Sequence, residues 1–197
     1  MYNNTIIKID CIEKTNDEFL QNLTLTNENF IFSQVIEFNV RNKLLINISN
    51  SSVRQLFSRN LRRLSLNDCK IKLIEKNTFN FMLQLTNLSL SRNEITSIEN
   101  DSFLTFPFES NILVMYLSEN KLKTIGHRTF SGLSRLRLLY LDRNKIEEIE
   151  ENSFRNLKYL VELDIQSNNI KIIRNEMFFD NINVEILQLY KNDIENI

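Results

Sequence analysis

The sequence contains very little glycine, proline, cysteine or histidine. Its 197 residues include two glycines, one proline, two cysteines, one histidine and no tryptophan. A β-sandwich or β-barrel turns through many tight hairpins that need glycine or proline, so this composition argues against both folds. Whatever makes this chain turn uses other residue types. The two cysteines, Cys11 and Cys69, are far apart in sequence and provide neither a disulfide framework nor a metal-binding quartet.

The sequence also lacks a strong net charge and a long apolar segment. The formal net charge is −1, so no overall basic field favours nucleic acid or an anionic membrane. No stretch approaches the roughly 20 apolar residues that a membrane-spanning helix needs. The first residues, Met1 to Asn4, have neither the basic start nor the apolar stretch of a secretory signal. The chain is therefore either cytosolic, or a mature piece or fragment of a longer protein.

No set of residues points to catalysis. The sequence has no glycine-rich phosphate loop, no Ser/His/Asp set and no cluster with metal-ligand spacing. The single histidine, His127, falls on a connecting segment, and a lone surface histidine is far more often inert than catalytic. We expect a protein that is not an enzyme and that uses no cofactor or metal.

The most prominent feature of the sequence is a repeated spacing. Six positions, mostly apolar, recur with steps of 3, 2, 3, 2 and 3 residues, as in Leu85, Leu88, Leu90, Asn93, Ile95 and Ile98. The copies begin at Val35, Leu61, Leu85, Ile112, Leu136, Leu160 and Val184. A phenylalanine follows the third position by 13 residues in five copies, at Phe79, Phe103, Phe130, Phe154 and Phe178. Chance does not place five phenylalanines in one register.

Each position of the repeat has a physical role. The Leu-x-Leu segment predicts a short strand with one buried face. The asparagine amide both donates and accepts hydrogen bonds, so it can satisfy the backbone where the chain leaves the strand, and stacked copies form a ladder. Cys69 takes this position in one copy, and we expect it to be buried there. One coil cannot bury its apolar face alone, so neighbouring coils must stack around a continuous core.

The pattern Leu-x-x-Leu-x-Leu-x-x-Asn-x-Ile-x-x-Ile-x-x-x-x-Phe resembles the 24-residue "typical" class of leucine-rich repeats. That class occurs mainly in animal extracellular proteins, such as Toll-type receptors, small proteoglycans and neuronal adhesion molecules. The resemblance implies a repeat solenoid, a right-handed horseshoe with a parallel β-sheet on the concave face and an irregular or short helical convex side. Members of the family bind very different partners.

The repeats predict the organisation of the chain. We assign residues 1–34 to an N-terminal cap and residues 35–197 to about seven leucine-rich repeats, the last truncated. Extracellular relatives usually cap with a cluster of cysteines, whereas this cap offers only Cys11. An insertion at Phe106–Glu109 should bulge from the back of the coil. The strand around Val184–Tyr190 would leave an open sheet edge, so we expect the natural protein to continue there or to self-associate.

The concave face carries the predicted binding surface. Strand residues between the buried leucines point away from the core, and in the C-terminal half they include tyrosines, apolar neighbours and acidic residues. The candidate binding residues are Tyr116, Tyr140, Asp142, Glu162, Asp164, Gln188 and Tyr190. Exposed tyrosines with an acidic margin are typical of a protein-binding patch and predict a partner with a basic margin. Aromatic residues also simply suit sheet surfaces, which is the competing interpretation.

Six Asn-x-Ser/Thr sequons are present, and their number is close to what an asparagine-rich composition gives by chance. They are at Asn3, Asn22, Asn47, Asn50, Asn87 and Asn100. Two functions remain open. The first is an extracellular or cell-surface recognition module that binds protein. The second is an intracellular adaptor or scaffold, favoured by the missing signal peptide and the sparse cysteines.

Overall fold

The described part of the chain is built from short parallel strands joined by turns. The computed structural model describes residues 5–10, 35–41, 47–48, 60–104, 110–178 and 180–195. The predicted bulge at Phe106–Glu109 and the residue Cys11 lie outside these ranges.

Eight strands form one parallel sheet, which we call the concave sheet. In spatial order they are β1 (Thr5–Asp10), β2 (Val35–Arg41), β4 (Arg63–Asn67), β6 (Asn87–Ser89), β8 (Val114–Tyr116), β10 (Leu138–Tyr140), β12 (Glu162–Asp164) and β13 (Ile186–Gln188). Two smaller parallel sheets comprise β3 (Asn47–Ile48), β5 (Leu73–Ile74) and β7 (Ser97–Ile98), and β9 (Thr124–Ile125) with β11 (Glu148–Ile149). A short 3-10 helix spans Asn175–Phe178. This arrangement confirms the predicted repeat solenoid.

The strands pair in the register that the repeat predicts. Leu139 on β10 lies between Met115 on β8 and Leu163 on β12, and each is the same position of its own copy. A parallel sheet in this register places equivalent side chains in straight columns across the strands. The leucine column faces the core, and the columns on either side of it face the concave surface.

The interior is one elongated core lined by the repeat leucines and phenylalanines. Phe79, Phe103, Phe130 and Phe154 are buried, and Phe178 is partly buried against the same cluster. The Phe154 ring stacks on Phe130 at 6.0 Å and on Phe178 at 5.7 Å between ring centroids. The predicted shared interior is confirmed, because phenylalanines of successive coils contact one another inside it.

The predicted asparagine ladder joins each coil to the one before it. Asn144 is buried, and its side-chain Nδ2 donates to the carbonyl oxygens of Leu117 and Leu141, both at 3.0 Å. Its Oδ1 accepts from the backbone N–H of Leu122 at 3.1 Å. Cys69 is buried at the equivalent position, as expected, and its backbone N–H donates to Asn93 Oδ1 at 2.9 Å. Each amide thus satisfies backbone groups in two coils.

The chain turns at the ladder without glycine. In the coils that the structure describes from residue 60 onward, the residue before the ladder position has a left-handed φ between 52° and 57°, a conformation that non-glycine residues adopt only rarely. These residues are Asp68, Arg92, Glu119, Arg143, Ser167 and Lys191. The repeated turn therefore accounts for the scarcity of glycine, because the fixed ladder hydrogen bonds hold the backbone in this strained region.

Candidate protein-binding surface

Two columns of the concave sheet bring most of the predicted binding residues together. Tyr116, Tyr140, Asp164 and Gln188 occupy equivalent positions on β8, β10, β12 and β13. Two residues earlier on each strand, the neighbouring column contains Val114, Leu138, Glu162 and Ile186. Adjacent strands in a sheet are about 4.8 Å apart, so these side chains form one continuous surface.

The centre of this surface is a pair of stacked tyrosines. The rings of Tyr116 and Tyr140 are 4.9 Å apart between centroids and only 5° from parallel. Tyr116 keeps 37% of its surface exposed, and Tyr140 is half-buried. Burial, together with the negative charge of nearby Glu162, raises the pKa of Tyr140 to about 12. The pair presents a rigid aromatic platform with hydroxyl donors at its edge.

Acidic side chains lie beside the tyrosines. Glu162 is half-buried, hydrogen-bonds with the Tyr140 side chain, and accepts from Gln188 Nε2 at 3.4 Å. Asp164 accepts from the backbone N–H of Gln166 at 3.0 Å and from its Nε2 at 2.8 Å. Within the described residues, neither Glu162 nor Asp164 forms an ion pair with a basic side chain. Two carboxylates held by neutral donors leave a local excess of negative charge.

The structure does not expose every predicted binding residue. Asp142 and Asp164 keep only 6% and 5% of their surface accessible. The carboxylate of Asp142 forms an ion pair with Arg143, whose Nη1 lies 2.8 Å from Asp142 Oδ2. These two buried carboxylates therefore affect the electrostatic potential of the surface without being able to contact a partner. Tyr190, which follows β13, is exposed and can contact a partner directly.

The structure adds a column of residues that the sequence analysis missed. A groove of about 410 Å³ runs beside the tyrosines and is lined in part by Arg92, Glu119 and Arg143. These residues occupy the left-handed position just before the ladder asparagine, which turns their side chains toward the concave face. Arg143 lies 3.7 Å from Glu119. The regular spacing from the ladder asparagine was the signal that could have identified them.

The remaining sequence candidates lie away from this surface. His127 is exposed, and its backbone N–H donates to Glu150 Oε2 at 2.9 Å, which lowers the pKa of that carboxyl group. Among the described residues, no three His, Cys, Asp or Glu side chains are grouped so that they could hold a metal ion. In the same part of the chain, no helix has the length and apolarity needed to cross a membrane.

The structure describes the asparagine side chain in two of the six sequons. Asn87 is half-buried on β6 of the concave sheet, in register with Val114 on β8, and its Oδ1 accepts from the Thr86 hydroxyl at 2.9 Å. Asn100 is exposed on a turn. Asn47 lies on β3. The other three sequons, at Asn3, Asn22 and Asn50, lie outside the described residues.

Comparison with known proteins agrees with the geometry. The family model described as "Leucine rich repeat" matches residues 59–108, 105–146 and 134–194. No curated protein sequence matches the chain significantly. Among solved structures, the Drosophila complex of Toll with Spatzle is similar with a TM-score of 0.70 and 22% identity, over 85% of this chain and 23% of that chain. A complex of TLR13 with ssRNA13 is similar with a TM-score of 0.53 and 24% identity, over 91% of this chain and 31% of that chain.

The similarity to the solved structures establishes the fold, and the match to the family model establishes the family. The chain spans less than a third of the length of either solved structure. The family model covers most of the sequence and coincides with the coils seen in the structure. The chain belongs to the leucine-rich repeat family.

Proposed function

We propose that the chain is a non-catalytic recognition module of a secreted or cell-surface protein, such as part of a receptor ectodomain. It binds a protein partner through the C-terminal half of the concave sheet. The observation that carries this proposal is the parallel stacking of Tyr116 on Tyr140 beside Glu162. Tyrosines are enriched among the residues that contribute most to binding energy at protein interfaces.

The charge around the tyrosines favours a basic partner over nucleic acid. Glu162 has no basic partner among the described residues, so a lysine or arginine of the ligand would pair with it, and the negative charge of the buried Asp164 would add to the attraction. A phosphate backbone would be repelled by the same two carboxylates. The Toll structure, whose complex is with Spatzle, shows that a protein of this fold can form a complex with another protein.

The proposal is tested by removing the aromatic platform. Wild-type chain is used as bait against an array of purified extracellular domains, and the affinity of any saturable binder is measured for Tyr116→Ala/Tyr140→Ala. We expect a loss of at least about thirtyfold, as for a central hot spot. Ile172→Ala is the control, since it removes an exposed apolar side chain that lies outside the concave sheet. Equal affinity of the wild type and the double variant would contradict the proposal that this surface binds the partner.

An intracellular adaptor remains the alternative function. The observation in its favour is that the sequence has only two cysteines, which is compatible with a reducing compartment. Expression of the full-length gene in animal cells separates the two, because only a secreted chain acquires N-linked glycans. A mobility shift after endoglycosidase treatment would exclude the adaptor, and its absence together with cytosolic staining would exclude the receptor ectodomain.

A further inference from the structure

A second groove lies on the flank of the solenoid, at the edge where the strands of the concave sheet begin. The residues just before β8, β10, β12 and β13 stack in a column made of Leu113, Arg137, Val161 and Glu185. Backbone hydrogen bonds fix this column: Arg137 N–H donates to Leu113 at 2.9 Å, and Val161 N–H donates to Arg137 at 2.8 Å. The groove encloses about 660 Å³ and shares no lining residue with the groove beside the tyrosines.

Large apolar and aromatic side chains line this flank groove and remain exposed. Tyr159 keeps 63% of its surface accessible and Ile182 keeps 87%. Leu113 is also exposed, at the opposite end from Ile182. Single exposed apolar residues are ordinary on a protein surface, but three that line one groove indicate a contact site.

Two arginines give the flank groove an unbalanced positive charge. Arg135 Nη1 donates to Asn111 Oδ1 at 2.6 Å, and this amide carries no charge. Within the described residues, Arg137 forms no ion pair. By contrast, Arg63, Arg92, Arg128, Arg143 and Arg155 each pair with a carboxylate. Glu185 is the only acidic residue that lines the groove in the described part of the chain.

We infer that the flank groove binds an extended acidic segment of a partner protein. Carboxylates of that segment would pair with the guanidinium groups of Arg135 and Arg137. A guanidinium group can donate two parallel hydrogen bonds to one carboxylate. An apolar or aromatic side chain of the segment would pack against Tyr159. The four strands span about 14 Å, which is the length of four or five residues of extended chain. The flank groove shares no residue with the concave surface, and its ligand is acidic, whereas the partner proposed for the concave surface is basic.

The test uses a phage-displayed library of random peptides of about twelve residues, long enough to exceed the groove. Selection on the wild-type chain is compared with selection on Arg137→Gln/Tyr159→Ala. We expect acidic residues next to an apolar one to be enriched on the wild type only. The strongest peptide, measured by fluorescence anisotropy, should bind Arg137→Gln at least tenfold more weakly and should lose affinity as salt rises.

Matched variants separate the groove from general effects. Arg155→Gln removes an exposed arginine elsewhere, and Tyr116→Ala/Tyr140→Ala removes the concave platform, so both should bind the selected peptide like the wild type. Thermal unfolding of each variant shows that the fold is retained. Enrichment without acidic bias, or equal binding by Arg137→Gln, would overturn the inference. So would Arg137-dependent binding of a single-stranded RNA oligonucleotide, or Arg137-dependent dimers in sedimentation, with no acidic peptide selected.

Discussion

Tyr140 stacks on Tyr116 on one side of its ring and hydrogen-bonds with Glu162 through its side chain. This pairing ties together three neighbouring strands, β8, β10 and β12, on the concave surface. An aromatic ring that already contacts a neighbouring ring and a carboxylate has fewer conformations to lose on binding than a ring without such contacts. Preorganisation of this kind raises affinity without any additional contact.

The first prediction concerns the ionisation of this tyrosine. Its pKa of about 12 lies above the ordinary value near 10, first because of burial and then because of Glu162. In the unfolded chain the hydroxyl loses its proton near pH 10, while the folded chain retains it to about pH 12. The folded state therefore binds more protons in this window, so stability should fall as pH rises from 10 to 12.

Absorbance of tyrosinate at alkaline pH measures this directly. We expect the wild-type chain to show a late phase of tyrosine ionisation near pH 12, and this phase to vanish in Tyr140→Phe. Glu162→Gln should move the phase to lower pH without bringing it to 10, since burial is the larger cause. A late phase that persists in Tyr140→Phe would show that another tyrosine produces it.

The second prediction tests the asparagine ladder. Asn144→Ala would leave the buried Leu122 N–H without its acceptor. It would also remove one of the two amide donors to each of the Leu117 and Leu141 carbonyl oxygens, which keep Asn120 and Asn168. The unsatisfied N–H costs about 1–3 kcal/mol and each of the two lost hydrogen bonds about 0.5–1.5 kcal/mol, so we expect the free energy of unfolding to fall by about 2 kcal/mol or more. Asn169→Ala changes the same residue type at an exposed position and should stay within about 0.5 kcal/mol of the wild type in urea titrations. Similar losses in both variants would contradict the ladder.

The strands and the buried positions of the fold could be predicted because the same spacing of residues recurs in each repeat. Positions such as Leu88, Met115 and Leu139 were assigned to the buried column from spacing alone, and the strand register places them there. The left-handed turn at Arg143 could not be foreseen, because its residue type argues against positive φ. The turn is stabilised by hydrogen bonds between coils, which are tertiary interactions: Arg143 N–H donates to the Gln166 carbonyl oxygen at 3.0 Å, and Asn144 makes the ladder bonds beside it.

The binding surface was less completely predictable. Spacing placed Tyr116 and Tyr140 in one column, but no sequence rule indicates that Asp142 is buried and pairs with the arginine that follows it. The flank groove was missed altogether. Its residues, such as Arg135 and Tyr159, precede the strands, where the repeat has no fixed residue type. They become neighbours only because the coils stack, so a single copy gives no sign of them.

The third prediction concerns Gly132, one of the two glycines in the chain. Its φ is +88°, and a Cβ added there would lie 2.9 Å from Leu104 Cα. A backbone atom cannot move aside easily, so we expect Gly132→Ala to lower the free energy of unfolding by about 1–3 kcal/mol. Gly126→Ala is the matched control, because its new Cβ would meet nothing closer than Thr129 Oγ1 at 3.4 Å. The control should change stability by less than about 1 kcal/mol in either direction.

The fourth prediction tests the continuity of the core. Phe154 is fully buried and stacks on phenylalanines of the coils on both sides, whereas Phe178 is partly buried and stacks on Phe154. Phe154→Ala should destabilise the chain by about 3–5 kcal/mol. Phe178→Ala should cost clearly less, because less of its side chain is removed from water.

The shape of the unfolding transition adds a second measurement. The free energy of unfolding of a solenoid is approximately the sum of the stabilities of the single coils and of the interactions between neighbouring coils. Weakening one interaction in the middle therefore lets the coils on its two sides unfold separately. We therefore expect Phe154→Ala to broaden the urea transition or divide it in two, while Phe178→Ala lowers the midpoint and leaves the slope nearly unchanged. A Phe154→Ala transition as steep as that of the wild type would mean that the coils remain coupled without this ring. In that case the leucine columns and the asparagine ladder, rather than the phenylalanine contacts, would be what joins the coils.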